Sequence, residues 1–535
     1  MQLTISPYKQ LMTMMMAISL SALSLPLYGN PQGGQVASGN ITIQNNGNTV
    51  NINQTGSQGI INWTSFDIHS SETVNFNNKG GTTLNRINSN KASSINGNLN
   101  ASGKIFLINP HGIVFGVNAQ VNVGSIVASV ADISDSNFLK GDYKFDIAST
   151  DPHAQIINHG HISTVAEKGL IALVGPGVIN DGVIQANVGK VALGTGDRWT
   201  LDVSGDGLIN FDIGEATTST LYHIDNTGSI IANAGSIMLT AQAVSDAVHS
   251  VINVEGIVQA RSVEKVNGKI VFGGAQQVNV SGTIDASGVE RGQRGGQIQI
   301  TGDQINIGAN NKPAVITASG DQGGGSILIG GDMQGGGTLA HAENTTVNTG
   351  SVLSADAITT GNGGRVVVWS DNTTEFHGSI SARGGAFGGD GGTVETSGRH
   401  RLEIANASVN AGSARGKNGS WLLDPGSITI NLAEATSIHN ALETNTDTTI
   451  LAQKDTGVFD AGDIFVNSAI TWDTNATLNL VADNNINVGA VIANVLDPLN
   501  NIPSGNLNLR ADADANNSGT VLFPGGKVDF SDSAG

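Results

Sequence analysis

The chain has 535 residues, enough for several domains or for one long array of repeats. It contains 72 Gly and no Cys, which excludes disulfides, thiolate metal sites and a Cys nucleophile. Only 13% of the residues are charged, and 44 acidic against 25 basic residues give a formal net charge of −19. This acidic balance disfavours nucleic acid and anionic membrane surfaces as partners.

Residues 1–29 have the pattern of a secretory signal peptide. Lys9 and the amino terminus supply a positive region, residues 11–25 form an apolar core, and Pro26 ends that core before a candidate cleavage site at Gly29. The alternative is a transmembrane anchor, but the core is short for one and no stop-transfer charge follows it. No later segment approaches the ~18 consecutive apolar residues of a membrane helix, so we expect no membrane span.

Alternating polar and apolar residues begin near Val36. Residues 49–52 and 74–76 are predicted strands, because apolar side chains recur at every second position. Trp63 and Phe66 lie between them, three residues apart, which is off the strand period. The end of a strand stack exposes unpaired backbone, so we predict that these two aromatics pack in an N-terminal cap.

Residues 104–129, KIFLINPHGIVFGVNAQVNVGSIVAS, alternate short apolar runs with corners. The first corner is Asn109, Pro110, His111 and Gly112. Asn suits the first position of a type I turn, Pro the second and Gly the fourth. Ile113 then starts the next predicted strand.

A repeat becomes legible beyond residue 150. Its copies share a glycine between two short apolar runs, and these glycines are Gly160, Gly182, Gly228, Gly256 and Gly282. Their spacings are 22, 46, 28 and 26 residues, and we interpret 46 as two steps of 23. A period of 20 to 30 residues with two or three short strands is the signature of a β-solenoid.

The predicted fold class is therefore all-β, a parallel β-helix with an N-terminal cap. About 20 rungs stacked at ~4.8 Å would give a rod of roughly 95 Å. Ile, Val and Leu should stack inside, and Asn residues should form amide ladders at corners. Helical content should be low, since apolar residues are spaced by two and Gly is abundant.

The C-terminal half divides into two parts that differ in composition. Residues 281–417 keep the rungs but are rich in Gly, and residues 418–535 are expected to be further solenoid repeats. Residues 433–442 predict a short helix within them. Because no closing cap is recognisable before residue 535, we expect the natural chain to continue beyond it.

No catalytic constellation is recognisable, and we predict no catalytic residue, metal site or cofactor. Asp512 and Asp514 are expected to share a strand face but have no accompanying base, and His159 and His161 share a face without completing a metal site. Residues 384–392 contain one imperfect copy of a Gly/Asp calcium repeat, which needs several tandem copies to bind calcium, so we interpret its glycines as corner residues.

These segments resemble the large exoproteins of bacterial two-partner secretion, which begin with a filamentous haemagglutinin-type domain. The resemblance lies in residues 59–68 (GIINWTSFDI), 83–94 (TLNRINSNKASS), 95–129 and 131–145, and later in 361–369 (GNGGRVVVW), 380–397 and 420–425 (SWLLDP). The subgroup most resembled is that of the high-molecular-weight adhesins.

The resemblance implies a secretion domain at residues 30–280. Such a domain is exported through the periplasm of a Gram-negative bacterium, is recognised by a dedicated outer-membrane TpsB-type transporter, and folds outside as a right-handed β-helix. The family's Asn-Pro-Asn-Gly-Ile motif corresponds to Asn109, Pro110, His111, Gly112 and Ile113. His replaces the middle Asn, and we expect it to be less comfortable than Asn in a left-handed conformation there.

Three functions compete. The first is a secreted or surface adhesin that binds a glycan or protein receptor on host cells or other bacteria, for which a long acidic rod is suited. The second is the stalk of a contact-dependent toxin, a cytolysin or a haem-scavenging exoprotein of the same secretion class. The third is a polysaccharide-active β-helix enzyme, against which the missing acid–base cluster weighs.

Overall fold

The protein is an elongated stack of short β-strands. The computed structural model describes residues 29–186, 188–202, 209–211, 221–241, 249–454, 460–495 and 504–531. The strands of the first 130 residues are β1 (Gln35–Ser38), β2 (Ile41–Asn46), β3 (Thr49–Gln54), β4 (Gln58–Trp63), β5 (Thr73–Asn77), β6 (Thr82–Ile87), β7 (Ser93–Ile95), β8 (Asn98–Ala101), β9 (Lys104–Ile108), β10 (Ile113–Phe115), β11 (Gln120–Val123) and β12 (Ser125–Ser129).

The next part of the chain contains one short helix and fifteen strands. They are α1 (Asp135–Lys140), β13 (Lys144–Phe145), β14 (Gln155–Asn158), β15 (His161–Thr164), β16 (Leu170–Val174), β17 (Gly177–Asn180), β18 (Val183–Gln185), β19 (Lys190–Thr195), β20 (Trp199–Leu201), β21 (Ile209–Phe211), β22 (Leu221–Asn226), β23 (Ser229–Ile231), β24 (Ser236–Ala241), β25 (His249–Val254), β26 (Ile257–Gln259) and β27 (Lys269–Val280).

The Gly-rich part adds twelve strands and two short 3-10 turns, Ala309–Asn311 and Met333–Gly335. The strands are β28 (Thr283–Asp285), β29 (Gln297–Ile307), β30 (Val315–Thr317), β31 (Ser326–Ile329), β32 (Asn344–Val347), β33 (Val352–Ser354), β34 (Arg365–Ser370), β35 (Thr373–Phe376), β36 (Ser379–Ser381), β37 (Thr393–Gly398), β38 (Arg401–Glu403) and β39 (Ser408–Asn410).

The last part contains β40 (Gly419–Leu423), β41 (Ile428–Ile430), α2 (Leu432–Glu443), β42 (Thr446–Ala452), β43 (Ile464–Val466), β44 (Ile470–Trp472), β45 (Thr477–Ala482), β46 (Ile486–Val488), β47 (Val491–Asn494), β48 (Asn506–Arg510), β49 (Val521–Leu522) and β50 (Lys527–Asp529). Helix α2 confirms the helix predicted at residues 433–442, and helices are few among the described residues, as predicted.

The strands form three long parallel faces, so the fold is a parallel β-helix. The first face stacks β4, β6, β9, β12, β16, β19, β24, β27, β29, β31, β34, β37, β40, β42, β45 and β48. The second runs from β7 to β38, and the third from β3 to β39. Two shorter faces, one starting at β41 and one at β44, continue the C-terminal part.

Sixteen strands in the longest described face correspond to a stack of about 70 Å at ~4.8 Å per rung. The prediction of about 20 rungs was too high. One reason is the 46-residue spacing from Gly182 to Gly228, which is a single step, because β17 pairs directly with β22 and β18 with β23. The additional residues include β20 and β21, which lie outside the stack.

Apolar side chains stack through the interior from rung to rung. One such row, on the third face, is Val50, Val74, Leu99, Val121, Ile162, Ile184, Ile230, Val258, Ile284, Ile316, Leu353, Ile380 and Val409, and every member is buried. Full burial of one such side chain stabilises the fold by about 1.5–3 kcal/mol. Because the same row continues from rung to rung, each added rung contributes a comparable amount to the free energy of unfolding.

Asparagine ladders form as predicted. Asn158, Asn180 and Asn226 are buried at one corner, with Nδ2-to-Oδ1 distances of 2.8 Å from Asn158 to Asn180 and 2.7 Å from Asn180 to Asn226. A second ladder lies on the outside, where Asn279 Nδ2 donates to Asn253 and Asn306 Nδ2 donates to Asn279, both at 2.9 Å.

The first rungs are closed by antiparallel pairing. Strand β1 pairs antiparallel with β4, and β2 pairs antiparallel with β3, whereas β4 and β3 pair in parallel with the following rung. Strands β1 and β2 therefore occupy the backbone N–H and C=O groups that the first rung, β3 and β4, would otherwise expose.

Two strands join faces that are separate elsewhere. β27 and β29 run through the corner between the first and second faces, with a bulge between Phe272 and Ala275. The sequence pattern predicts two strands in place of β29, at residues 297–300 and 305–307. Gly302 pairs with Ala275 directly after that bulge, so the backbone passes through the corner as one strand.

Candidate functional site

The corner that begins at Asn109 is a hydrogen-bonded turn. The backbone N–H of Gly112 donates to the carbonyl oxygen of Asn109 at 2.9 Å, and the backbone N–H of His111 donates to the Asn109 Oδ1 at 3.0 Å. Asn109 is completely buried. Its side chain therefore serves the turn internally, as an Asx turn does.

Asn109 also ties this turn to neighbouring rungs. Its Nδ2 donates to the carbonyl oxygen of Lys91 at 3.0 Å and to the hydroxyl oxygen of Ser93 at 3.1 Å, both from the preceding rung. Its backbone N–H donates to the carbonyl oxygen of Ser129 at 3.1 Å, on the next strand of the first face. Of these side-chain partners, Ser93 is buried, so its hydroxyl depends on Asn109 for a hydrogen bond.

Gly112 is the residue that adopts the left-handed conformation. Its φ is 100°, and a Cβ there would lie 2.6 Å from the carbonyl oxygen of Gln155 on the following rung. The expectation that the position of His111 is left-handed was wrong, because the positive φ of this corner falls on glycine. Ile113, which follows, is buried and pairs with Ser93 and Ile156 on either side.

The outer part of the corner is Pro110 and His111, which are half-buried. Ser149 donates its hydroxyl to the carbonyl oxygen of Pro110 at 2.6 Å, and His111 Nδ1 lies 3.0 Å from Asp151 Oδ2. The hydrogen bond from His111, with a smaller contribution from the backbone N–H of His153, lowers the pKa of the Asp151 carboxyl. These contacts connect the corner to the segment that leads into β14.

Trp63 and Phe66 lie in the first rungs and are both buried. Their rings meet edge to face with centroids 5.5 Å apart, and Phe66 stacks on Phe76 at 6.4 Å. The indole N–H of Trp63 donates to Asn85 Oδ1 at 3.0 Å. The aromatic pair thus packs in the interior of the first rungs, against β5 and β6.

A small outer layer, which sequence reasoning missed, covers the first face near this corner. Helix α1 and the antiparallel strands β13, β20 and β21 form it, and Phe145 stacks on Trp199 with ring centroids 3.9 Å apart. Arg86 holds the layer through Asp132 at 2.6 Å and Asp135 at 3.0 Å. The signals were the N-cap Ser134 and the left-handed C-cap Gly141 around α1.

The pairs considered for chemistry are not arranged as expected. Asp512 and Asp514 were predicted on a strand face, but both follow the end of β48, and Asp512 has a φ of 53°. His159 occupies the turn before Gly160 and contacts Asp181 at 2.6 Å, whereas His161 begins β15. Among the residues that the structure describes, no group of three or more His, Asp or Glu is placed to hold a metal ion.

The segment at residues 384–392 forms a loop at a corner. Gly388 and Gly389 have φ values of 148° and 125°, and the Oδ1 of Asp390 accepts the backbone N–H of Lys417 at 2.9 Å. Phe387, at its tip, is 68% exposed.

Glu395 is a buried carboxyl on the outer side of the first face. The backbone N–H of Gln334 donates to both of its oxygens, at 2.9 and 3.0 Å. Burial raises the pKa of Glu395 to about 7, against the opposing effect of that hydrogen bond. Burial likewise raises the pKa of the nearby Asp424 to about 6. Glu395 therefore stays largely protonated at mildly acidic pH.

The family assignment rests on the N-terminal half and on a solved fold. A model of the TPS secretion domain matches residues 28–286. The crystal structure of the HMW1 secretion domain from Haemophilus influenzae is similar at 33% identity with a TM-score of 0.63, over 74% of this chain and 100% of that one. The chain belongs to the two-partner secretion exoproteins, whose secretion domain implies a TpsB-type outer-membrane transporter as partner.

Proteins of this family are secreted by Gram-negative bacteria. Among characterised relatives, the heme/hemopexin-binding protein of Haemophilus influenzae (strain ATCC 51907 / DSM 11121 / KW20 / Rd) is 30% identical over 267 residues. A second heme/hemopexin-binding protein of Haemophilus influenzae is 26% identical over 265 residues. These matches cover 48% and 45% of this chain and 28% of each relative, so the chain spans only part of their length.

The α-helices of the described residues have 6 and 12 residues, too few to cross a bilayer.

Proposed function

We propose that residues 30–280 are the export module of the chain, with residues 1–29 as its signal peptide. Residues 281–417 and 418–535 form the continuing solenoid that this module delivers to the cell surface. Of the proposed signal peptide, residues 1–28 lie outside the described residues and only Gly29 lies within them. The backbone N–H of Gly29 donates to Glu72 Oε1 at 3.0 Å. The described rungs continue across residue 280, since β26 pairs with β28.

Within the export module, we propose that the corner from Asn109 to Ile113 is the secretion motif. Its residues divide by burial: Asn109, Gly112 and Ile113 are buried, whereas Pro110 and His111 are half-buried. The first group would maintain the shape of the corner, and the second group would contact the transporter.

The test is secretion from cells that carry the cognate transporter. Pro110→Ala with His111→Ala should reduce secretion while the purified protein keeps its stability. Asn109→Ala should reduce both. Full secretion of the double variant would remove the contact role of Pro110 and His111.

We propose further that the delivered rod is an adhesin. The observation that carries this proposal is the regular outer surface, on which polar side chains recur on successive rungs, as in the ladder of Asn253, Asn279 and Asn306. A surface with a constant repeat is suited to many weak contacts made at once. Beads coated with the purified chain should attach to epithelial or bacterial cells, and attachment should rise steeply with coating density.

A second candidate is haem or hemopexin binding, which is favoured by the two heme/hemopexin-binding relatives. Titration of the purified chain with haemin should then give a Soret shift, and immobilised hemopexin should retain the chain. A flat titration with attachment to cells would favour the adhesin. Hydrolysis or lyase activity on acidic polysaccharides would instead support the enzyme alternative.

A further inference from the structure

A groove of about 800 Å³ runs along the third face in the Gly-rich part of the rod. Its floor is built by outward side chains of β30, β33 and β39, namely Thr317, Ser354 and Asn410. These residues are in register with one another through Ser381 of β36. The groove therefore crosses four successive rungs, a length of about 15 Å at ~4.8 Å per rung.

A second polar row borders the floor and is held rigidly. Asp356 Oδ1 accepts the hydroxyl of Ser381 at 2.6 Å and the backbone N–H of Arg383 at 2.7 Å, and its Oδ2 accepts Arg383 Nη2 at 2.8 Å. Ser319 Oγ accepts the backbone N–H of Asp356 at 3.1 Å. Arg383 still has 57% of its side chain exposed, so a charged donor is available at the groove.

Apolar side chains form the remaining walls. Val315 and Ile358 are 45% and 46% exposed, and Ala357, Ala386 and Ala414 complete this lining. The groove thus offers hydroxyl, amide and charged groups beside aliphatic patches. A sugar ring has the same division, with hydroxyls at its edge and C–H groups on its faces.

The backbone of this face is not open to strand addition. β30, β33 and β36 each pair with a rung on both sides, and helix α2 packs against the far side of β39. A bound chain must therefore be recognised by side chains alone. Those side chains repeat at ~4.8 Å, whereas an extended peptide advances ~3.3 Å per residue. The length of a pyranose unit in an extended chain is close to the rung spacing.

We propose that this groove binds a linear oligosaccharide of three or four sugar units lying along the rod axis. The proposal rests on the adhesin function, which it makes more specific by naming the ligand class and its site. Arg383 would pair with a carboxylate where the sugar carries one, and Thr317, Ser354 and Asn410 would bond successive hydroxyls.

The test uses the purified chain and two series of fluorescent linear oligosaccharides, neutral chitin and uronate-bearing hyaluronan fragments, of two to eight units. Affinity for at least one series should rise with length up to about four units and then level off. Thr317→Trp, which fills the floor, should weaken binding at least tenfold. Thr429→Trp, at an exposed central position of β41, is the matched control and should leave affinity within twofold of the unchanged chain.

Arg383→Gln is a second variant for the case in which Thr317→Trp does not fold, and it should weaken hyaluronan binding at least fivefold if that series binds, or chitin binding otherwise. No binding of either series, or equal binding by the unchanged chain and the groove variants, would overturn the proposal. So would retention of extended peptides in the groove in place of sugars. Attachment of coated beads to cells is measured in parallel: attachment without oligosaccharide binding keeps the adhesin and removes the groove, and the reverse result keeps the groove and removes the adhesin.

Discussion

The side-chain amide of Asn109 donates to the hydroxyl of Ser93, 16 residues earlier in the chain, at 3.1 Å. The same amide also donates to the carbonyl oxygen of Lys91, and its oxygen accepts the N–H of His111. One buried side chain therefore connects the turn between β9 and β10 to the preceding rung. Removing it leaves the buried hydroxyl of Ser93 without this partner, at a cost of roughly 1–3 kcal/mol, and weakens the bonding of two half-buried backbone groups.

Asn109→Ala should destabilise the export module by about 2–4 kcal/mol, since water can replace only part of the lost bonding. Urea unfolding followed by hydrogen exchange near β7 and β10 measures the effect. Secretion in cells with the transporter should fall in parallel. Asn100→Ala, in a half-buried outer ladder, is the control and should be secreted normally. Normal secretion of Asn109→Ala would contradict the assignment of this corner.

Gly112 tests backbone geometry separately from hydrogen bonding. Gly112→Ala places a Cβ 2.6 Å from the carbonyl oxygen of Gln155 on a residue with a φ of 100°. Gly141→Ala has a similar φ of 77° but meets no atom within 4 Å. We expect about 1 kcal/mol of destabilisation at Gly141 and at least 2 kcal/mol more at Gly112. Equal losses in denaturant titrations would show that the approach of Gln155 does not constrain the corner.

The two asparagine ladders should differ in how much stability is lost when their middle residue is replaced by alanine. Asn180 is the middle member of the buried ladder, and Asn279 is the middle member of the outer one. Asn180→Ala should cost about 2–3 kcal/mol, because its neighbours lose partners away from solvent. Asn279→Ala should cost less than about 1 kcal/mol, because water can replace the lost bonds there. The two variants are compared by their midpoints of urea unfolding, provided that the dependence of the unfolding free energy on urea concentration is the same for both.

Glu395 predicts a pH dependence of stability. Its pKa is about 7 in the folded protein and 4.5 ordinarily, so the folded state binds the proton more tightly than the unfolded state. Its contribution is fully present below pH 4.5 and is lost as the pH rises through about 7. The loss approaches about 3 kcal/mol at 1.36 kcal/mol per pKa unit.

Glu395→Gln should remove this loss and make the Gly-rich part more stable than the unchanged chain at pH 8. The glutamine oxygen can still accept the N–H of Gln334, so the fold around Met333–Gly335 is retained. Denaturant midpoints from pH 4 to 8 measure the effect. Parallel pH profiles for the two proteins would show that Glu395 ionises without cost.

The stacked strands could be predicted because local alternation decides them. Each short apolar run, such as residues 105–108, needs only its own pattern and flanking Gly or Asn to indicate a strand and a corner. The interior row that runs through Ile162, Ile184 and Ile230 follows from the repeat itself. The helix at Leu432–Glu443 was also predictable, because apolar spacing changes there from two to three or four residues.

Insertions were harder to predict, because their role depends on distant residues. The 46-residue spacing before Gly228 could be divided into two rungs on numbers alone, and only the pairing of Asn180 with Asn226 identifies it as one. The outer layer held by Arg86 and Asp132 joins residues 46 apart in sequence. The turn rule places glycine at Gly112, but it contains no information on the carbonyl oxygen of Gln155, which approaches that glycine from the neighbouring rung.

The antiparallel closure of the first rung gives the molecule a direction. From β4 onward, each parallel strand is laid against the rung that came before it in the chain, so every finished turn offers a ready template to the next. A polypeptide that emerges amino end first can then condense turn by turn, without waiting for distant segments. Each condensed turn buries its apolar side chains against the turn before it, so the coil can assemble as an ordered series of local steps.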